Sequence, residues 1–267
     1  MKKLLFILSI ILFVSCAESD RKQAEKLFFD AQNFYSENNF DAAKNAIDTL
    51  HARFPRQVEF RRKCDTLAWK ITIDEIAREL PQIDSTLVGE LAEAEKIAKN
   101  FKFFKDDKYQ QIGDYEHISM NTAANAGRNY LKPITDEYGN FRFVSTLVGQ
   151  KINHRAVSAT VGDLSAETQK AAENSINGYS DGITSYETVL FNTETAKNFI
   201  LFLCDNIDNQ VKITLLGDKN YSYNLSKKDL KIFVETFNFS LLLKNINENQ
   251  QKKTALEQTF KALKLKI

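Results

Sequence analysis

Residues 24–55, AEKLFFDAQNFYSENNFDAAKNAIDTLHARFP, set the character of the first half of the chain. Leu27, Phe28, Ala31, Phe34 and Tyr35 fall at i, i+1, i+4, i+7 and i+8, which is one face of a helix. Ser36-Glu37-Asn38-Asn39 breaks the period. Ala42, Ala43, Ala46, Ile47 and Leu50 then form a second stripe, which closes at Phe54-Pro55. The pattern predicts two antiparallel helices. Alanines let their backbones approach, an aromatic fills the gap between them, and a proline stops the second.

Ala31, Phe34, Ala43, Ile47 and Pro55 stand at the spacings of a small, an aromatic, a small, a bulky and a closing residue. In this the pair resembles a tetratricopeptide repeat over roughly 34 residues. Asp30 departs from it, standing where such repeats carry a large apolar side chain. One repeat cannot bury its own face, so the resemblance implies neighbouring helices. A third helix is expected from Val58, with Cys64, Leu67, Ala68, Ile71 and Ile76, ending or kinking at Pro81. A fourth follows from Gln82, where Ile83, Leu87, Leu91, Ala94, Ala98 and Phe101 make a coiled-coil-like seam. Residues 24–104 are thus predicted as a four-helix, TPR-like array.

The pattern changes after Lys105-Asp106-Asp107-Lys108. Phe141 to Val148 alternates with period two, and so does Arg155 to Val161, across a connection holding Gly149 and Asn153. The pair reads as a β-hairpin. Thr168 to Ile176 reads as a short helix, Tyr186 to Phe191 as a strand and Thr195 to Cys204 as a helix. Val211 to Leu216 and Tyr221 to Leu225 flank Gly217-Asp218-Lys219-Asn220, a second hairpin. Ser226, with Asp229 three residues on, marks the start of a last helix whose buried face is Leu230, Phe233, Phe237 and Leu241. The fold class expected is α+β. It comprises the helical region, a small domain over 115–226 with two β-hairpins, and a long helix over 227–267 whose end packs on the N-terminal helices.

The first sixteen residues, MKKLLFILSIILFVSC, carry a different message. Lys2 and Lys3 precede a run of eleven uncharged residues, Leu4 to Val14, apolar throughout except for Ser9. That run rises only about 16 Å as a helix, far short of the roughly 30 Å core of a bilayer, so it reads as a secretion signal. With Ser15 directly before Cys16, the segment resembles the lipobox of bacterial lipoproteins. There the cysteine is acylated and the peptide is cut before it. The resemblance implies a signal over 1–15, lipidation of Cys16, a polar tether over 16–23, and a place in the cell envelope at the outer membrane. In overall style the chain resembles lipoproteins common in Bacteroidetes, which join such helices to a small β-containing module.

Composition narrows the chemistry. The net charge of +1 gives no global field for nucleic acid. Three prolines and nine glycines in 267 residues favour long helices. Cys64 and Cys204 read equally well as a disulfide or as free thiols. His51, His117 and His154 lack metal-ligand spacing, and neither a nucleophile elbow nor a glycine-rich phosphate loop occurs. No metal, cofactor or catalytic residue is expected. The residues singled out for partner binding are Arg56, Arg61 and Arg62, within a basic run that also holds Arg53 and Lys63. Phe103 and Phe104 join them, from an aromatic and charged stretch that extends to Tyr109 and Tyr115. The function expected is a protein-interaction scaffold or ligand-binding protein, anchored in the membrane by its lipid and partnered by another envelope protein. A component of an outer-membrane assembly machinery and a hydrolase using His117 and His154 are the alternatives.

Overall fold

The computed structural model describes residues 2–106, 108, 110–121, 123–180 and 184–267, with the side chains of residues 2–17 and 124 outside the description. Tyr109 and the thiol of Cys16 therefore fall outside it. The chain divides into two compact units, residues 1–85 with 251–267, and residues 86–250.

The first unit is helical. Helix α1 (Lys2–Ser36) runs without interruption through the segment expected as a tether, and α2 (Phe40–Arg53) returns along it. Of the predicted stripes, Ala31, Ala43, Ala46, Ile47 and Leu50 are buried, and Leu27, Phe28, Phe34 and Tyr35 pack against them half-buried; Ala24, outside the predicted stripe, is buried with them. Asn38 takes the left-handed conformation that a tight reversal needs, at φ 59°. Asn39 caps α2 by accepting from the Ala42 N–H at 3.2 Å.

Helix α3 (Val58–Ala98) packs on the pair through Phe60, Cys64, Leu67 and Ile71. Tyr35 donates to Asp74 at 2.6 Å, and Arg78 donates to Asn38 at 2.5 Å while lying over the Phe40 ring. The third and fourth helices expected from the sequence are one. Pro81 lies inside α3, which continues because Leu67, Ile71 and Ile76 anchor it before the proline and Ile83 and Leu87 after it. Leu91, placed in the predicted seam, is 47% exposed. The last residues of the chain complete this unit: Lys252 pairs with Glu79 at 2.5 Å, Lys253 with Asp84 at 2.6 Å, and the Lys266 ammonium lies over Trp69.

Helix α3 stops at Ala98, where the Asn100 N–H bonds the Ile97 carbonyl. Phe101, expected to be helical, instead opens strand β1 (Phe101–Phe104). The second unit holds nine further strands among the described residues. They are β2 (Asp114–His117), β3 (Tyr130–Asp136), β4 (Phe141–Val148), β5 (Ala156–Val161), β6 (Leu164–Glu167), β7 (Ile176–Ser180), β8 (Ser185–Asn192), β9 (Lys212–Leu216) and β10 (Tyr221–Asn224). They form two antiparallel sheets, β1-β2-β3-β4-β8-β7 and β10-β9-β5-β6.

The expected pairing of β4 with β5 is thereby corrected. β4 lies between β3 and β8, and β5 lies between β6 and β9 in the other sheet. Two neighbouring runs of period two look alike whether they pair with each other or with distant strands. The short helix expected over 168–176 is reduced to one 3-10 turn, Glu173–Ser175. Thr168 and Ala171 give their N–H groups to β5 carbonyls, or to the residue just before that strand, which holds the segment extended. The second hairpin, β9–β10, stands as expected, with Tyr221 opposite Leu215.

Helices α4 (Thr193–Asp205) and α5 (Lys227–Lys264) cover the inner face of the large sheet. Phe143 meets Phe191, Phe199 and Phe233 at 5.1–5.4 Å, and Phe141 meets Phe233 and Phe237. Val157, Ala159, Ile213 and Leu215 of the small sheet join the same core. Ser226 caps α5, accepting from the Asp229 N–H at 3.0 Å.

Candidate functional site

Glu187 is a carboxylate on the inner parity of β8, shared with Val189 and Phe191, and so has to find its partners inside the protein. Its Oε2 accepts the N–H groups of Asn153 at 2.8 Å and Ile152 at 3.2 Å, and its Oε1 that of His154 at 2.8 Å. Oε1 also meets His154 Nδ1, while His154 Nε2 lies 2.5 Å from Ser145 Oγ. Burial holds the His154 imidazole below its ordinary value, against the opposing pull of Glu187. Burial pushes the Glu187 carboxyl up, but the hydrogen bonds from His154 and Asn153 outweigh it and leave the group below its ordinary value.

Hydroxyl, imidazole and carboxylate are thus connected in the order of an acyl-transfer triad. Their placement is not that of a working one. Ser145 and His154 are 0% exposed, and Ser145 sits mid-strand between two hydrogen-bonded neighbours. The trio fastens the crossover from the large sheet to the small one. His117, the other histidine weighed for hydrolysis, sits elsewhere. It accepts from the Ser119 N–H at 3.1 Å and presents its ring to Phe101. Among the described residues no group of three His, Cys, Asp or Glu side chains is arranged to hold a metal.

A cleft in the second unit opens between the β3–β4 turn, the β8–α4 junction and the middle of α5, and has a volume of about 390 Å³. Phe141 and Phe237 line it from below with Leu241, while Asn140, Asn192, Thr193, Glu194 and Lys244 supply polar groups. Leu241, expected in the core, is 45% exposed here. The turn is held firmly: Asp136 accepts from the N–H groups of Tyr138 and Asn140, both at 2.9 Å. Gly139 lies against α5 at φ 82°, where a Cβ would come within 2.3 Å of the Ser240 carbonyl. Thr193 donates to the Phe141 carbonyl at 2.8 Å and fixes the start of α4. The volume and the apolar floor with a polar rim suit a small amphipathic ligand.

Of the residues singled out from the sequence, Arg56 and Arg62 are exposed, and Arg61 donates to the Pro55 carbonyl at 3.1 Å. Phe103 and Phe104 are about two-fifths exposed on the edge strand β1 but point to opposite faces. Phe103 rests on Tyr115 and over Gly113, whereas Phe104 lies under the Lys102 ammonium. They make no joint surface. The cleft was not anticipated, because its walls come from three segments far apart in sequence. The buried trio did leave a signal, in a Glu on the apolar parity of a strand. No protein family, curated protein or solved structure matches the chain.

Proposed function

We propose that the chain is a lipid-anchored protein of the cell envelope, held at the outer membrane, that serves as an interaction scaffold or ligand-binding protein. The observation that carries this reading is the N-terminal sequence, with Lys2-Lys3, the apolar run Leu4 to Val14, and Ser15 before Cys16. The alanine-faced α1–α2 hairpin, closed by Phe54 and Pro55, supports a TPR-like role for the helical unit. The cleft of the second unit supplies a place for a small amphipathic ligand.

The test is metabolic labelling of cells with a radiolabelled fatty acid, followed by fractionation. Label on the protein and recovery with the outer membrane are expected, and both are lost in Cys16→Ala. An unlabelled, soluble wild-type protein would overturn the proposal. Cross-linking in intact cells, with the same variant as control, then identifies the partner.

A further inference from the structure

The basic run belongs to the end of the helical unit at which α1 enters it. Between His51 and Lys63 the chain holds Arg53, Arg56, Arg61, Arg62 and Lys63 against a single acid, Glu59, a net charge of +4 where the whole chain carries +1. Helices α1 and α3 ascend together from this end. Phe28 meets Phe60 at 6.4 Å, and Tyr35, about two turns on along α1, meets Asp74, about four turns on along α3. Glu59 is bonded by Lys63 at 2.7 Å, and the Lys63 ammonium in turn lies 6.0 Å from the centre of the Phe28 ring on α1. The first turns of α3 therefore stand beside α1 at Phe28, and the loop joining α2 to α3 precedes them on the side toward Arg21.

Cys16 lies five residues earlier on the same unbroken helix, a rise of about 8 Å. That is about one Debye length at physiological ionic strength. The acids of this turn, Glu18 and Asp20, are matched by Lys22, 3.4 Å from Glu18, and by Arg21, which leaves the excess charge on the loop. Val58 adds an apolar side chain, 53% exposed, between Arg56 and Arg61.

We propose that the Arg53–Lys63 end of the helical unit rests on the anionic phospholipid surface of the membrane that holds the lipid on Cys16. The arginines meet headgroup phosphates and Val58 enters the interface. This rests on the lipid-anchor reading and adds a second contact to it, which fixes the orientation of the helices. Arginine matches phosphate geometry bidentately, and a basic segment beside an anchor is the usual companion of a lipid chain.

The experiment uses the acylated full chain carrying Val58→Cys, labelled with an environment-sensitive dye and reconstituted into vesicles. The acylated chain without the Val58→Cys change, treated with the same dye, gives the background from Cys64 and Cys204, whose thiols burial pushes up to about 11. One set of vesicles is phosphatidylcholine alone, and the other contains a quarter phosphatidylglycerol. Acrylamide quenching at position 58 is expected to fall about fivefold in the anionic vesicles only. It should return to the neutral-vesicle value in 1 M salt, and also when Arg53, Arg56 and Arg62 are changed together to Gln. Equal quenching in both vesicles, with the protein still floating with the neutral ones, would overturn the surface contact and leave the anchor standing. Failure to float with neutral vesicles would overturn the anchor and this inference with it.

Discussion

At the scale of single residues, Glu187 ties together two parts of the second unit that are distant in sequence. One carboxylate takes three backbone N–H groups and the ring of His154, all inside the protein. Glu187→Ala would leave those donors buried without acceptors, at a cost of 1–3 kcal/mol for each such group. A loss of at least about 3 kcal/mol is expected in urea denaturation. Ser145→Ala strands only His154 Nε2, and its cost should be about a third of that. If Glu187→Ala unfolds within 1 kcal/mol of wild type, the carboxylate is not the fastener described above.

At the scale of elements, α3 is the most informative. It carries a proline in its interior, where one backbone hydrogen bond is lost and the ring crowds the carbonyl four residues back. Pro81 is exposed, so replacing its ring with a methyl group gives up little packing. Pro81→Ala should raise stability by about 1–3 kcal/mol, read as a higher urea midpoint with an unchanged slope. A midpoint that stays where it is would mean that the helix has adapted its path to the proline.

The same helix shows what the sequence could reveal. The apolar stripes located the helices, and the period-two runs gave β4, β5, β8 and β9 nearly to the residue. The split into two helices at Pro81 does not occur, because a local rule for stopping a helix is overruled by anchoring residues on both sides. Strand β3 escaped notice for a related reason. Pro133 argues against a central strand, yet it lies just past the end of the β2 ladder, where it removes no bond to β2. Pairing was the least legible property. Which strands meet is decided by buried contacts such as Glu187 with residues 152–154, and these appear in no local window.

At the scale of the whole molecule, stability should follow pH in two steps. Burial holds both His154 and His117 below their ordinary value of 6.5. As pH falls through that value, the unfolded chain takes up protons that the native state refuses, and stability drops. Glu187, held below its ordinary 4.5, adds a second loss at lower pH, when the native carboxylate must finally be protonated. The thermal midpoint should therefore fall between pH 7.5 and 5.5 and again below 4.5. His154→Asn, which cannot take up the proton, should flatten the upper step. A midpoint constant from pH 7.5 to 5.5 would count against the buried neutral histidines.

One further property follows from the cysteines. Cys64 and Cys204 are free thiols, one in each unit, and both are held far from the thiolate form at neutral pH. Among the described residues these two thiols make no cross-link, so the packing around them needs no oxidant to form. Neither Cys64 nor Cys204 is therefore poised to answer a change in the redox state of its surroundings.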